Sequence, residues 1–359
     1  MSRSSSTGQK RSLSSSTRSG STSQTRNTSP YNPAFEQMMI DQGVHPTWYR
    51  SQDGKRLPKP SNVEDIRGAL AQSRASLSPS RFSESHFEAF QDSNEASNSE
   101  SQIMTLVIPM IAGPGEGRYV TTGDKLFNNL EKFHPDITMP KPDRASGASP
   151  SEIDPRVRDE LGRYILPCPR LAAPNNFLAG KSSSGRADIA QRQAMYDGAV
   201  GARAMFHLQN YGNATRVYDS NAYTLASSYH PGTGTLQMYA THPGPPAQAG
   251  GHPQYYTTQL DSYAMTGNVI AFRAGAAAYR NGQAWSQQQR NRLIAEANHA
   301  AHQQSTETRS VSETVDEDDG LSDGSNGLPD SETSADELSL QVPTKRLKRP
   351  VLPHSAQPS

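Results

Sequence analysis

Apolar side chains thicken between residues 102 and 300 of this chain and thin out on either side, so the pattern predicts one folded region between polar stretches. Residues 1–30 form a Ser/Thr/Arg tract too poor in apolar side chains to offset the entropy of ordering, and they are expected to be disordered. Residues 31–101 read as an arm. Phe35, Met38, Met39, Ile40 and Val44 give it a short amphipathic helix that runs into an aromatic end at Trp48 and Tyr49. Two more helical patterns follow at 65–73 and 82–90, and 93–101 is a polar linker. Such an arm suits either docking on a partner or capping the core.

Within the core, 103–111 is a continuous apolar, β-branched run that predicts a buried strand. Leu126, Leu130 and Phe133 share one face of a predicted helix at 124–133. Residues 137–143, interrupted by Pro140 and Pro142, predict an edge strand. A helix at 155–164 has Asp154 as its cap, and 175–181 predicts a strand that turns at 182–185. The strongest helical signal is 187–210, which lacks proline. Its small and apolar face, through Ala190, Ala194, Gly198, Gly201 and Met205, lets it lie close to a sheet. Strands at 218–229 and 236–242 join through Pro231-Gly232-Thr233-Gly234. Helices at 255–265, 269–280 and 286–302 close the domain at 300, and the tail 301–359 is expected to be disordered and acidic.

Composition narrows the setting. Lys plus Arg and Asp plus Glu balance at 35 each, yet the first thirty residues carry Arg3, Lys10, Arg11, Arg18 and Arg26 and no acid, which suits an acidic partner. Near the other end, Lys345, Arg346, Lys348 and Arg349 lie between Pro343 and Pro350, a cluster that predicts recognition by a nuclear import receptor and location in the nucleus. Cys168 is the only cysteine, so no internal disulfide can form, and a reducing compartment is expected. The longest apolar run is too short to cross a bilayer, so no membrane association is expected.

The candidate chemistry lies at two strand ends. Asp143 follows Pro142 at the end of one predicted strand and Lys181 ends the next, so a carboxylate and an ammonium can converge at a sheet edge. Gly180-Lys181-Ser182 has half of a phosphate-binding loop. Asn175 takes the place of its first glycine, however, and Phe177 and Leu178 do not suit a loop that presents N–H groups to phosphate. His230 and His242 each precede a proline at a strand end, where turn chemistry accounts for them better than a metal pair. Tyr255, Tyr256, Tyr263 and Tyr279 with Arg273 and Arg280 offer either a stacking surface or half-buried core.

This order of elements, with Pro142-Asp143 and Lys181, resembles the restriction-endonuclease-like core of the PD-(D/E)XK nucleases. The segments Phe127-Asn128-Asn129-Leu130, Pro174-Asn175-Asn176-Phe177, 192–203, 218–224 and Ala264-Met265-Thr266-Gly267 are similar to a family of fungal proteins over about residues 31–298. The resemblance implies an α/β fold, a restriction-endonuclease-like central mixed sheet flanked by helices, with long disordered tails. It implies Asp143 as a Mg²⁺ ligand, Lys181 as the group that polarises water, and Gln193 as its positioning partner or a phosphate contact. Arg192, Arg203, Arg273 and Arg280 would contact DNA or RNA. It also implies an acidic residue two positions before the lysine, where this chain has Ala179, with Glu131 and Asp188 as the substitutes to consider. Hydrolysis needs hard oxygen ligands for the metal, so the expectation is a nuclear nucleic-acid-binding protein, a degenerate Mg-dependent nuclease with weak or lost activity. The alternative is a noncatalytic interaction scaffold that uses its arm and acidic tail.

Overall fold

The computed structural model describes residues 27–51, 53–114 and 119–315, with side chains described as far as residue 304. The expectations for 1–26 and 316–359, including the basic cluster Lys345, Arg346, Lys348 and Arg349, lie outside the described residues. The chain divides after Ser310, and the features that follow belong to the unit ending there.

In chain order the elements are α1 (Ala34–Asp41), β1 (Val44–His45), α2 (Val63–Leu70), α3 (Glu84–Ala96) and α4 (Glu100–Gln102). The last of these continues through a π-helical turn, Ile103–Val107, into α5 (Ile108–Ala112). Then come β2 (Val120–Thr122), β3 (Arg144–Ala148), α6 (Pro155–Ile165), β4 (Ala172–Gly180), α7 (Ala187–Gln209), β5 (Thr224–His230), β6 (Thr235–Gly244), β7 (Gln254–Ala264) and α8 (Val269–Val315). The strands form one mixed sheet of seven, ordered β1-β7-β6-β5-β4-β3-β2. Only β1 with β7 and β4 with β5 pair in parallel. β4 is buried along its whole length, as a central strand with both faces covered must be.

Alternation along the strands assigns the layers. Phe177, Ala226 and Tyr239 pack with Ala194, Ala199 and Ala202 of α7 on one face. Leu178, Tyr229 and Leu236 pack on the other with Ile103, Val107, Ile111 and Phe272. Leu225 and Met238 join that second face with Ala278 of α8 and Ile66 of α2. The glycines of α7 make the first layer close. A methyl group at Gly201 would lie 2.7 Å from both Phe177 Cε2 and Thr224 Cγ2, and one at Gly198 would collide with Thr241 Oγ1.

Several expectations need correction. Residues 103–111 are helical, with Ile103, Val107, Ile108 and Ile111 buried and Leu106 half exposed, a period near 3.6 that a solid apolar run conceals. Pro109 has no N–H to donate, and the π turn just before it takes up the disruption. No helix forms at 124–133. The N–H groups of Asp124, Phe127 and Glu131 go instead to the carbonyls of Pro142, Pro140 and Arg163, and Asp124 has a φ of 56°. The strand expected at 137–143 begins only at Arg144, and it is not an edge, because β3 pairs with β2 and β4 on its two sides. Residues 255–265 form strand β7 rather than a helix. Leu260 is an extra residue between the partners of Met238 and Tyr239, and this bulge breaks the period of two. The two closing helices are one, running to Val315, so order does not cease at 301.

The segment 31–101 contributes to the same core. Phe35 and Met39 of α1 are fully buried against the α7 layer, and β1 extends the sheet beside β7. Thr28 bridges Ile137, so residues 27–30 are placed as well.

Candidate functional site

The ends of β3 and β4 set the site. Arg144 pairs with Leu178, which puts Asp143 beside the last residues of β4, and Asp143 Oδ2 accepts the Gly180 N–H at 2.8 Å. The next residue, Lys181, continues the pairing with β5 by donating its N–H to the Tyr229 carbonyl. Its side chain is only 1 % exposed, and its Nζ donates to Glu100 Oε1 at 2.8 Å. The same ammonium stands 5.7 Å from the centre of the Tyr31 ring, within cation–π range.

α7 supplies the wall. Gln193 and Asp197 lie one turn apart and line the same cleft as Asp143, Glu100 and Tyr31, a space of about 420 Å³. Lys141 and Asp124 form an ion pair of 2.5 Å at its rim. Gln193 Oε1 is buried and accepts no hydrogen bond among the described residues. The cleft is also bounded by Ser29 and Pro30, whose carbonyl accepts from Arg192 Nη1 at 3.2 Å.

The electrostatics separate these groups. Burial raises the Asp143 carboxyl above its ordinary range, against the opposing pull of Lys181 and the Gly180 N–H. Burial pulls the Lys181 ammonium down, but the Glu100 hydrogen bond and the charges of Asp143 and Glu100 outweigh it, and the net shift is upward. Lys181 is therefore a held cation rather than a nucleophile. Asp197 is raised well above the usual carboxylate range by burial first and by the charge of Asp143 second. The cluster therefore holds one enclosed cation, engaged by Glu100, beside a cleft lined by Glu100, Asp143 and Asp197.

No family model, curated protein or solved structure matches the chain.

Among the sequence candidates, Asp143 and Gln193 line one cleft, and Lys181 is enclosed beside it, held by Glu100 and within electrostatic reach of Asp143. It does not gather the four arginines. Arg192 and Arg203 lie on α7, while Arg273 and Arg280 lie on α8, across the sheet. Arg192 also pairs with Asp188 at 3.1 Å, which occupies that substitute carboxylate. Arg203 donates to the Glu131 carbonyl, Arg273 twice to that of Phe82, and Arg280 to those of Ile111 and Met110. These bonds close segment ends, so the donors concerned are already engaged within the fold. The other substitute, Glu131, pairs with Arg163 away from the cleft.

His230 and His242 sit near opposite ends of the β5–β6 hairpin, which separates them. Residues 175–180 are strand, not phosphate loop. Among the described residues no three His, Cys, Asp or Glu side chains gather closely enough to hold a metal ion, and no helix is long and apolar enough to cross a membrane.

Sequence reasoning missed Glu100 and Asp197. Glu100 lay in what read as a polar linker, 81 residues before its partner. Asp197 carried a usable signal, since it is one turn from Gln193 on the face turned to the sheet.

Proposed function

We propose that the chain is a nuclear nucleic-acid-binding protein with a degenerate PD-(D/E)XK-like core and little or no hydrolytic activity. The observation that carries this reading is the convergence of Asp143 and Lys181 at adjacent strand ends. Around them β2, β3 and β4 are antiparallel, with α6 inserted between β3 and β4, and α7 crosses over to the parallel strand β5, an arrangement that supports this reading.

The donor set fits Mg²⁺ poorly. A small divalent cation needs hard, charged oxygens in a compact shell. Here one Asp143 oxygen is taken by Gly180, Glu100 is turned to Lys181, and burial favours the neutral form of Asp197. Position 179, where the superfamily pattern calls for an acid, is a buried alanine. That set argues against efficient cleavage. A scaffold that keeps the fold but binds no nucleic acid is the competing reading, favoured by the Lys181–Glu100 pair, which already engages the cation.

The test uses the full chain with labelled single- and double-stranded DNA and RNA, titrated across salt with and without Mg²⁺. Binding that weakens steeply with salt, with slow or no cleavage, is the expected result. Loss of any residual cleavage in Lys181→Ala supports the assignment. Failure to bind at low salt, or cleavage indifferent to Lys181→Ala, removes it.

A further inference from the structure

A second cavity, of about 430 Å³, opens on the α7 face toward β7. Lys132, Arg163, Arg203 and Arg216 line it, against a single carboxylate, Glu131. Glu131 is engaged by Arg163 at 3.3 Å, so the cavity keeps a clear excess of positive charge. Tyr196 separates it from the first cleft: its ring lines that cleft and packs edge-on against Phe133 of this one, centroids 6.1 Å apart.

Arg203 forms the floor. It is 6 % exposed, its guanidinium lies 4.2 Å over the Phe133 ring, and Nη2 donates to the Glu131 carbonyl. Its Nε–H is buried and meets no acceptor among the described residues. A guanidinium cannot shed its proton to relieve that situation, and an unsatisfied buried donor is costly. Arg203 lines the cavity, so its positive charge acts on an anion placed there. Beside Arg203, one turn along α7, His207 stacks on Tyr164 with centroids 3.6 Å apart. Burial, and then the charges of Arg216, Arg203 and Arg163, push its imidazole down to about 3, so the ring is neutral and does not add to the charge. Arg163 is largely exposed and Arg216 exposed, so two solvent-facing guanidinium forks stand at the mouth over one fixed at the base.

We infer that this cavity binds the phosphoryl group of a phosphorylated ligand, with Arg203 at the floor and Arg163 and Arg216 closing over it. A phosphomonoester carries up to two charges and several acceptor oxygens, which matches three forked donors better than a single carboxylate does. The inference does not depend on the nuclease-like reading of the Asp143–Lys181 cleft.

Calorimetric titration of the full chain tests it, with inorganic phosphate, a nucleoside monophosphate, and a 5′-phosphorylated and a 5′-hydroxyl oligonucleotide at constant ionic strength. Saturable phosphate binding, weakened at least about tenfold in Arg163→Ala/Arg216→Ala, is expected. Both substitutions lie at exposed positions, and an unchanged thermal midpoint without ligand shows that the fold is kept. Tighter binding of the phosphorylated strand than of the mononucleotide would identify a nucleic-acid end as the source, and equal binding a free phosphorylated small molecule; either supports the site. No binding up to about 10 mM phosphate, or binding unchanged in the double variant, would overturn it.

Discussion

Three carboxyls approach Lys181, and burial gives them different parts. Glu100 accepts its hydrogen bond, Asp143 is tied to Gly180, and Asp197 is enclosed and raised well above the ordinary 3.8, by burial before any charge. An unfolded Asp197 loses its proton near 3.8, whereas the folded one keeps it to higher pH. Stability contributed at this position therefore falls as pH rises between those two values. Asp197→Asn should match the parent near pH 3.8 and exceed it above, the gap widening by at most about 1.4 kcal/mol per pH unit. Urea melts across the acid-to-neutral range measure this, and parallel stability curves would reject it. Lys181→Met should cost about 3 kcal/mol, since it leaves Asp143 and Glu100 without their enclosed cation; the shift in denaturation midpoint reads it. Lys181 was legible because the strand before it is a local feature, whereas Asp143 reaches it from the start of β3 rather than from the end of the strand expected at 137–143. Glu100 was not legible, because nothing local to a Ser-rich linker marks the lysine it meets.

α7 shows a pattern written for one purpose at the scale of an element. Its glycines and alanines are there to bring the helix onto β4, β5 and β6, and that face was readable without coordinates. Gly201→Ala should lose about 1–2 kcal/mol, because clashes with Phe177, Thr224 and the Pro174 carbonyl outweigh the helix-propensity gain. Gly68 in α2 is the contrast: an added methyl meets nothing within 4 Å, so Gly68→Ala should stabilise by up to about 1 kcal/mol. Thermal melts of the two variants should move in opposite directions. α5 and β7 were misread for different reasons. An unbroken apolar run carries no period, and a bulge at Leu260 interrupts the one that β7 has. The helix expected at 124–133 is missing because its backbone groups found partners in the 140–142 segment and α6, and Phe127 is buried there while Leu126 of the expected face is exposed.

Across the whole molecule, acid should act through two enclosed imidazoles. Burial, aided at His207 by neighbouring arginines, lowers His207 to about 3 and His242 to about 4, against 6.5 when unfolded. Each is neutral in the fold, so the unfolded chain binds more protons below 6.5, and stability falls as pH drops from there toward those values. A folded chain should thus lose denaturation midpoint steadily on acidification, and replacing both histidines with glutamine should flatten that loss. The sequence left residues 31–101 open between docking on a partner and capping the core, and the buried side chains favour the second. Short segments rich in serine look separable, yet Phe35, Met39, Ile66 and Phe90 are each fully buried. Sequence spacing does not reveal that such residues are finished by partners from the far end of the domain.

The pairing of β1 with β7 carries a consequence for synthesis. His45 hydrogen-bonds Gln254, 209 residues further on. On the ribosome, β1 at the edge of the sheet emerges long before β7 and has to wait for it before it can dock. Until then the nascent chain exposes Phe35 and Met39 to whatever it meets, so holding by a chaperone should matter more for this protein than for one whose neighbours in space are neighbours in sequence.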